Sequence, residues 1–376
     1  MSKSKAKKKN LGQIIFLLIM LLAGMACGVM AGNIIGEAAA DGKPFFMYIV
    51  VLFVAMYLAM FVQIVIHEAG HLVFGLLSGY EFSSFRIGSF MFLKEDGKTR
   101  LRKYSLAGTG GQCLMCPPDL IDGKMPVVLY NLGGCIMNLI TAVLFAVIGY
   151  FVQENSVVFV FAASMVIMGI AYTLCNGIPM SVGPISNDGH NALSLGKNPV
   201  AMQAFWIQLK VNEQQSRGKR LKEMPESWFL VPAEKDMDNG LVATIAVFRA
   251  SWLIDQLRLE EAADYIENLL QKKTGILGIH RSLLVSERIY CELVVKNNTS
   301  EAINLHNKEH QKFIKQMKNN PSIIRCEYAY ALSVEKDEKK AKELLERFEK
   351  VAKTYPYQRE IEGERELIAR VLEETS

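Results

Sequence analysis

Long apolar runs dominate the first half of the chain and predict four membrane-spanning helices. Residues 11–66 carry charge at only three positions, all in a short stretch between two apolar runs, and residues 126–187 carry one charge, again between two runs. Each run approaches the roughly 20 apolar residues that cross a hydrocarbon core. Backbone polar groups in lipid must be satisfied within their own segment, so the runs are expected to be helical. The predicted spans cover residues 12–32, 45–66, 126–152 and 157–178.

Basic residues predict the side of the membrane on which each loop lies. Five lysines precede the first span and seven Lys or Arg residues separate spans two and three. The positive-inside rule therefore predicts a multi-pass protein of the cell membrane with both termini and residues 67–125 in the cytoplasm. The first run could instead be a cleaved signal peptide, because it has a basic start and a run of small residues at 26–28. Its length favours a retained span.

Composition separates a membrane half from a soluble half. Residues 1–198 carry 14 Lys or Arg and 10 Asp or Glu, whereas residues 199–376 carry 28 of each. A hydrophobic share of 51% excludes a disordered chain. The net charge of +4 is not laid out as a basic face, so no nucleic-acid partner is expected. Seven cysteines, an odd number on a long chain, do not indicate a disulfide framework.

After residue 240 the apolar pattern predicts three pairs of helices. Their spacing of about 40 residues resembles a short tetratricopeptide-like repeat array, whose concave surface suits a peptide or a partner protein. A helical bundle without repeat geometry is the alternative. The predicted first helices begin near Leu241, Ile279 and Ser322, and the second near Leu259, Ser300 and Asp337.

The second span carries an H-E-x-x-H motif at residues 67–71. His67 and His71 are four residues apart and share a helix face, so their imidazoles point to one locus. This spacing is typical of two zinc ligands, with Glu68 placed to act on water at the metal. A polar cluster that merely satisfies itself is the alternative, but ionisable groups at membrane depth are costly and are functional by default. We therefore predict one catalytic zinc ion.

A hydrolytic zinc site needs a third protein ligand and an open position. Asp188 and His190 follow the fourth span at the same membrane depth, and spacing alone does not choose between them. Asp188 could also be an ordinary Asp-Gly turn residue. A Glu ligand would define a second class of zinc peptidase, but Glu154 is predicted at the opposite face of the membrane.

Asn138 places a polar amide in the middle of the third apolar run, after the glycine pair at 133–134. An unpaired amide in lipid is expensive, so this side chain needs a partner or a function. It could orient substrate or stabilise a developing oxyanion. An interhelical hydrogen bond is an equal alternative, because glycines allow helices to approach closely.

Residues 82–107 predict a β-hairpin near the active site. Strand-favouring residues lead to an Asp-Gly turn at 96–97, and residues 99–104 alternate as a returning strand. Such a hairpin could pair with an unwound substrate by strand addition. Alternatively, the segment is a plain cytoplasmic loop whose basic residues lie on anionic lipid.

Cys113 and Cys116 form a lone C-x-x-C without the second pair that a zinc site needs, so they are predicted as loop thiols.

These motifs together resemble the site-2 protease family of intramembrane zinc metalloproteases. The resemblance covers roughly residues 45–195 and rests on the H-E-x-x-H helix, the G-x-x-x-N that ends at Asn138, and the Asp-Gly that follows an Asn-x-x-Pro. The chain departs from the family pattern at Cys135, where the family usually has proline, and in a longer spacing between Asn176 and Asp188. The resemblance implies a core of three transmembrane helices, corresponding to spans two, three and four. It also implies that zinc is held by His67, His71 and Asp188, that Glu68 is the catalytic base, and that Asn138 helps to hold substrate.

The sequence thus predicts a mainly α-helical protein with a multi-pass transmembrane core, a small β-hairpin insertion and a soluble, repeat-like helical domain. Its predicted function is that of an intramembrane zinc endopeptidase, which hydrolyses membrane-anchored proteins or peptides near the cytoplasmic face. A membrane-anchored scaffold with a non-catalytic metal site is the alternative, although an intact Glu68 argues against it. The predicted divisions are a basic tail (1–10), the zinc protease domain (11–198), a linker (199–240) and a helical domain (241–376) that could bind a cytoplasmic regulator.

Overall fold

The computed structural model describes residues 2–375 except 41, 43, 96–97, 105–109, 154–155 and 183–184. Internal contacts divide the chain into two compact units. The first consists of Met1–Gly88 and Gly108–Pro199, and the second of Ser89–Ala107 and Val200–Ser376. Each unit is described by itself.

Four helices of the first unit are long and apolar enough to cross a membrane, as predicted. They are α1 (Ser2–Ala40), α2 (Phe45–Leu77), α3 (Val128–Phe151) and α4 (Ser156–Gly177), and their apolar segments span Leu11–Gly36, Phe46–Leu77, Val128–Phe151 and Val157–Gly177. Many large apolar side chains on them are exposed in the protein alone, which fits a lipid environment. Because α2 continues to Leu77 rather than ending at residue 66, the histidine motif lies inside the helix.

Helices α2, α3 and α4 pack against one another and form the core of the membrane unit. Gly70 of α2 packs directly against Gly133 of α3. A Cβ atom added to Gly70 would lie 2.3 Å from the carbonyl oxygen of Gly133, so the two backbones touch. Small residues permit this packing in lipid, where there is no hydrophobic force between helices.

Two strands of the first unit pair antiparallel: β1 (Glu81–Ile87) and β4 (Gly111–Cys116). Strand β4 contains both cysteines of the C-x-x-C motif, and both side chains are buried. The prediction that they lie in a loop is wrong, because the short run GQCLMC pairs with β1 along its whole length. All the cysteines are free thiols.

The second unit includes a β-hairpin made of β2 (Phe90–Glu95) and β3 (Lys98–Lys103). The sequence predicted one long strand before the turn, but Gly88 adopts a positive φ of 56° and separates β1 from β2. Met91 and Leu93 are buried, whereas Phe90 and Phe92 on the opposite face are exposed. The predicted turn residues, Asp96 and Gly97, lie outside the described residues.

After α4 the chain forms a two-stranded hairpin and a short helix. The strands are β5 (Ser181–Val182) and β6 (Ile185–Ser186), and the helix is α5 (Asp188–Ser194), which continues into a 3-10 turn at Leu195–Lys197.

The second unit is otherwise helical. Its helices are α6 (Pro199–Ser216), α7 (Gly240–Asp255), α8 (Leu259–Gln271), α9 (Gly278–Val294), α10 (Thr299–Leu305), α11 (Lys308–Gln316), α12 (Pro321–Tyr330, extended by a π-helical turn at Ala331–Glu335), α13 (Glu338–Ala352) and α14 (Gln358–Thr375). The six predicted helix starts are each within one residue of an observed start. Helices α11 and α14 were not predicted, although Asn307 caps α11 by accepting hydrogen bonds from the backbone N–H groups of Glu309 and His310. Repeat geometry stays a prediction.

Residues 199–240, predicted as a linker, are structured in the second unit. They form α6 and three short 3-10 turns. Phe229 is fully buried and stacks on Trp252 at a centroid distance of 5.8 Å. Asn212 of α6 donates to the hydroxyl of Tyr357 at 2.9 Å. The segment therefore belongs to the packed core of the second unit.

Aromatic contacts attach the β2–β3 hairpin to the helical part of the second unit. The ring of Tyr104, which follows β3, meets Tyr355 edge-on at 5.8 Å and Tyr357 at 6.5 Å. Both partners are buried in the turn before α14. The hairpin is thus joined to the same turn that Asn212 contacts.

A buried ionic cluster lies beside that turn. Arg325 is fully buried, and it donates to Glu364 and Glu287 at 2.6 Å each while packing over the ring of Tyr290. Burial and the neighbouring charge of Glu364 raise the pKa of Glu360 to about 7, although Tyr355 donates a hydrogen bond to it. Glu360 is therefore better accommodated in the fold as the neutral acid.

We expect Glu360→Gln to reduce the pH dependence of stability. A carboxyl group whose pKa is raised on folding stabilises the fold below its unfolded pKa, and that contribution is lost as pH rises through the folded value. Wild type should lose up to about 3 kcal/mol relative to the variant between pH 4.5 and pH 7. Urea unfolding of the full chain in detergent, followed by tryptophan fluorescence, measures this difference. All three tryptophans, Trp206, Trp228 and Trp252, lie in the second unit.

The exposed Glu373→Gln is the matched control on the same helix, and it should leave the pH dependence unchanged. Parallel stability curves for wild type and Glu360→Gln across this pH range would contradict the expected role of Glu360.

Candidate metal centre

Helix α2 brings its two histidines together on one face, and Asp188 completes a group of three donor atoms. The Nε2 atoms of His67 and His71 are 3.2 Å apart. Oδ2 of Asp188 lies 3.1 Å from Nε2 of His67 and 3.5 Å from Nε2 of His71. Three side chains from two distant parts of the sequence therefore converge on one point.

Asn187 positions Asp188 by fixing the start of α5. Its Oδ1 accepts from the backbone N–H groups of His190 and Met180, each at 3.0 Å. Its Nδ2 donates to the carbonyls of Cys175 and Ile178 at the end of α4. The extra residues between Asn176 and Asp188 are taken up by the β5–β6 hairpin, so the longer spacing still returns Asp188 to the histidines.

His190, the other candidate for the third ligand, has a different contact. Its Nδ1 lies 3.2 Å from the hydroxyl of Ser194, one turn further along α5. Burial lowers the pKa of His190. The side chain that contacts the histidine pair is Asp188.

A hydrogen bond from each ring fixes which nitrogen of each histidine faces Asp188. Nδ1 of His71 lies 2.8 Å from the carbonyl oxygen of Tyr130, which can only accept. Nδ1 of His67 lies 2.7 Å from Oδ1 of Asn138. Both Nδ1 atoms therefore carry the hydrogen, and both Nε2 atoms keep a lone pair that points to the shared locus.

The orientation of Asn138 is itself determined by Gln63. Nδ2 of Asn138 donates to the backbone carbonyl of Gln63 at 2.9 Å and to its Oε1 at 2.6 Å. Nε2 of Gln63 donates to the carbonyl of Met165 in α4 at 2.9 Å. Asn138 and Gln63 are fully buried. Because the Met165 carbonyl can only accept, each amide in this chain has one allowed orientation.

The hydrogen bonds of Asn138 in the structure are those to His67 and Gln63. Its amide is directed to His67 and Gln63, an interhelical arrangement that the sequence left open beside a substrate contact. A contact between Asn138 and substrate stays a prediction.

Gly134 gives the ring of His67 its space. A Cβ atom added to Gly134 would lie 2.6 Å from Cε1 and Nδ1 of His67. The imidazole therefore packs directly on the backbone of α3, which limits its rotation.

Glu68 occupies the neighbouring face of α2 and is half-buried against strand β4. A Cβ atom added to Gly111 would lie 2.6 Å from Cγ of Glu68, so the carboxylate stem passes over this glycine. The carboxylate also accepts a hydrogen bond from the backbone of Cys113. Strand β4 therefore holds the proposed base beside the histidines.

The three donors fit zinc. Tetrahedral zinc with bonds of about 2.1 Å places its nitrogen and oxygen ligands about 3.4 Å apart, close to the observed 3.1, 3.2 and 3.5 Å. Each histidine also has the outer hydrogen bond that zinc-binding histidines require. The carboxylate of Asp188 supplies the third donor, an oxygen atom of a type that zinc also binds.

Sequence reasoning missed the residues that orient the ligands. Gln63 precedes His67 by one helical turn, and a lone amide at that position in an apolar span was a usable signal. Asn187 was visible as a helix N-cap before Asp188. The carbonyls of Tyr130 and Met165 carry no side-chain signal, because any residue supplies one.

The sequence was compared with family models, with curated proteins and with solved structures, and only the family models gave a match. The family model of peptidase family M50 matches residues 55–355, which is most of the chain. No match was found among curated proteins or among solved structures. The matched region contains the histidine motif, Asn138 and Asp188, and this family consists of membrane-embedded, zinc-dependent metalloproteases. The chain therefore belongs to peptidase family M50, the site-2 protease family that its motifs resemble.

Proposed function

We propose that this protein is an intramembrane zinc endopeptidase that cleaves membrane-anchored proteins or peptides near the cytoplasmic face. The observation that carries the proposal is the convergence of His67, His71 and Asp188, whose donor atoms lie 3.1–3.5 Å apart. His67, His71 and Asp188 would hold one zinc ion. Glu68 is the general base, and Asn138 acts as a positioning residue through His67.

The reaction needs a nucleophilic water and a route for its proton. Bound zinc supplies Lewis-acid activation of water and of the peptide carbonyl. Glu68 takes the proton from the attacking water and delivers it to the nitrogen of the leaving amine. Its hydrogen bond from Cys113 keeps the carboxylate in place through both transfers.

A transmembrane substrate must unwind before hydrolysis, because its backbone is protected by helical hydrogen bonds. An extended segment in lipid needs new partners for its N–H and C=O groups. We propose that the β2–β3 hairpin supplies them by strand addition. Phe90 and Phe92 give it an exposed apolar face, which suits a position at the membrane surface.

The distribution of basic residues supports a membrane topology, and the contacts of the helical domain support a regulatory role for it. The basic loops favour cytoplasmic N- and C-termini in the cell membrane, with the helical domain in the cytoplasm. We propose that this domain binds a cytoplasmic regulator. Its connection to the hairpin through Tyr104, Tyr355 and Tyr357 gives such a regulator a physical link to the substrate-pairing element.

Replacement of the base tests catalysis directly. We expect Glu68→Gln to bind one zinc ion per chain and to lose about 10²- to 10⁴-fold in the cleavage rate of a transmembrane reporter peptide. Zinc is measured by elemental analysis of purified protein, and cleavage by mass spectrometry. His190→Ala is the control, and it should keep zinc. A Glu68→Gln variant that cleaves the reporter at the wild-type rate would refute the role of Glu68 as the general base.

Variants at the two buried asparagines of α3 distinguish a positioning role of Asn138 from a general effect on helix packing. Asn138→Leu frees Nδ1 of His67, so zinc should bind about 10- to 100-fold more weakly. Asn131→Leu removes an equally buried amide on the same helix, whose Nδ2 donates to the Val127 carbonyl at 2.7 Å, and should leave zinc affinity unchanged. Competition with a chromophoric chelator measures both affinities. Normal zinc affinity with a raised KM in Asn138→Leu would instead indicate a substrate contact.

Strand addition predicts which backbone positions of the hairpin matter. The N–H of Tyr104 donates to the carbonyl of Ser89 at 3.0 Å, so these two residues form a hydrogen-bonded pair. Pairs with and without hydrogen bonds alternate along the two strands from there. Leu101 and Lys103 then lie opposite Phe92 and Phe90 in pairs without hydrogen bonds, so their N–H groups point away from β2. Prolines at both positions should abolish strand addition while sparing the hairpin.

We expect the Leu101→Pro/Lys103→Pro double variant to lose most reporter cleavage while keeping its zinc. The Leu101→Ala/Lys103→Ala double variant removes the same side chains, keeps the N–H groups and should cleave at near the wild-type rate. Equal cleavage by the two double variants would count against strand addition.

A further inference from the structure

A thiol lies beside the proposed zinc ligands, and the mechanism does not use it. Sγ of Cys135, one nitrogen of His67 and one carboxylate oxygen of Asp188 all lie within 4.8 Å of one another. Among the described residues, Cys135 is the cysteine that belongs to such a group of metal-binding side chains. It is buried, with 5% of its surface exposed.

The backbone holds this thiol at the level of the metal centre. Cys135 follows Gly134, on which the ring of His67 packs. The hydroxyl of Thr173 in α4 donates to the carbonyl of Cys135 at 3.2 Å. A Cβ atom added to Gly177, at the end of α4, would lie 3.6 Å from Sγ. The thiol is therefore confined between α3 and α4, on the side from which Asp188 enters.

The coordination preferences of zinc indicate what a thiol at the place of Cys135 could do. Two imidazole nitrogens and one carboxylate oxygen leave one position of a tetrahedral ion unfilled. Catalytic sites keep that position for water, whereas structural sites close it with a fourth protein ligand. Thiolate sulfur is a preferred ligand for zinc. A cysteine within reach of the ion therefore competes with the water that hydrolysis needs.

We propose that Cys135 is a fourth zinc ligand in the resting protein and keeps the protease latent. This inference rests on the proposed zinc function. When the Zn–S bond forms, the thiol loses its proton to solvent and one water leaves the ion. Activation reverses this exchange, because water returns to the ion and the sulfur regains a proton. No electron is transferred, and no co-reactant is required.

The direct test is the identity of the atoms around the bound metal. Full-length wild type, Cys135→Ala and Cys27→Ala would be purified in detergent with zinc, and examined by X-ray absorption at the zinc edge. Cys27→Ala is the matched control, because Cys27 is a buried thiol on α1, and the proposed zinc ligands lie on α2 and α5. A parallel set loaded with Co²⁺ would be examined for a sulfur-to-metal charge-transfer band.

We expect wild type and Cys27→Ala to show one sulfur neighbour at about 2.3 Å, together with the charge-transfer band. Cys135→Ala should lose both signals and keep one zinc per chain. A wild-type shell of nitrogen and oxygen alone, at full zinc content, would overturn the role of Cys135 and leave the proposed function standing. Wild type without stoichiometric zinc would overturn the proposed function itself.

Latency has its own readout. Cys135→Ala should cleave the reporter peptide with a higher initial rate than wild type, because the position for water is open from the start. Cys27→Ala should match wild type. A sulfur ligand without any gain in the Cys135→Ala rate would overturn the latency part of the proposal.

Discussion

The orientation of a single imidazole ring, that of His67, depends on a hydrogen-bond chain that begins at a backbone carbonyl in another span. The Met165 carbonyl orders Gln63, Gln63 orders Asn138, and Asn138 leaves the lone pair of His67 on Nε2. In water such a chain could exchange partners with solvent. Among buried groups in lipid, an amide that flips loses its partners and finds no replacement, so the chain has one low-energy arrangement.

This constraint makes the metal centre a property of three assembled spans. Helix α2 supplies the histidines and Glu68, α3 supplies Asn138 and the Tyr130 carbonyl, and α4 supplies the Met165 carbonyl and the anchor for Asn187. The contact between Gly70 and Gly133 brings the first two helices to the distance at which these bonds form. The geometry of the metal centre therefore depends on how closely these helices pack.

Local patterns in the sequence predict the four spans, the paired histidines and the starts of six soluble helices, because hydrophobic runs, helical spacing and capping residues act over short distances. The pairing of β1 with β4 is not predictable in this way, since its partners are about 30 residues apart and the C-x-x-C run is too short to favour a strand alone. The choice of Asp188 over His190 as the contact of the histidines depends on Asn187 and on a hairpin that absorbs the extra residues. Backbone carbonyls that orient His71 and Gln63 have no signature in the sequence.

The hairpin illustrates how an element can be placed by contacts far from it in sequence. Strands β2 and β3 follow a membrane span, yet Tyr104 packs against Tyr355 and Tyr357, some 250 residues later. These aromatic contacts, with the hydrogen bond from Asn212 to Tyr357, make the hairpin part of the helical unit. A force or a partner that moves α6 or the turn before α14 therefore acts on the hairpin through packed rings rather than through a flexible connection.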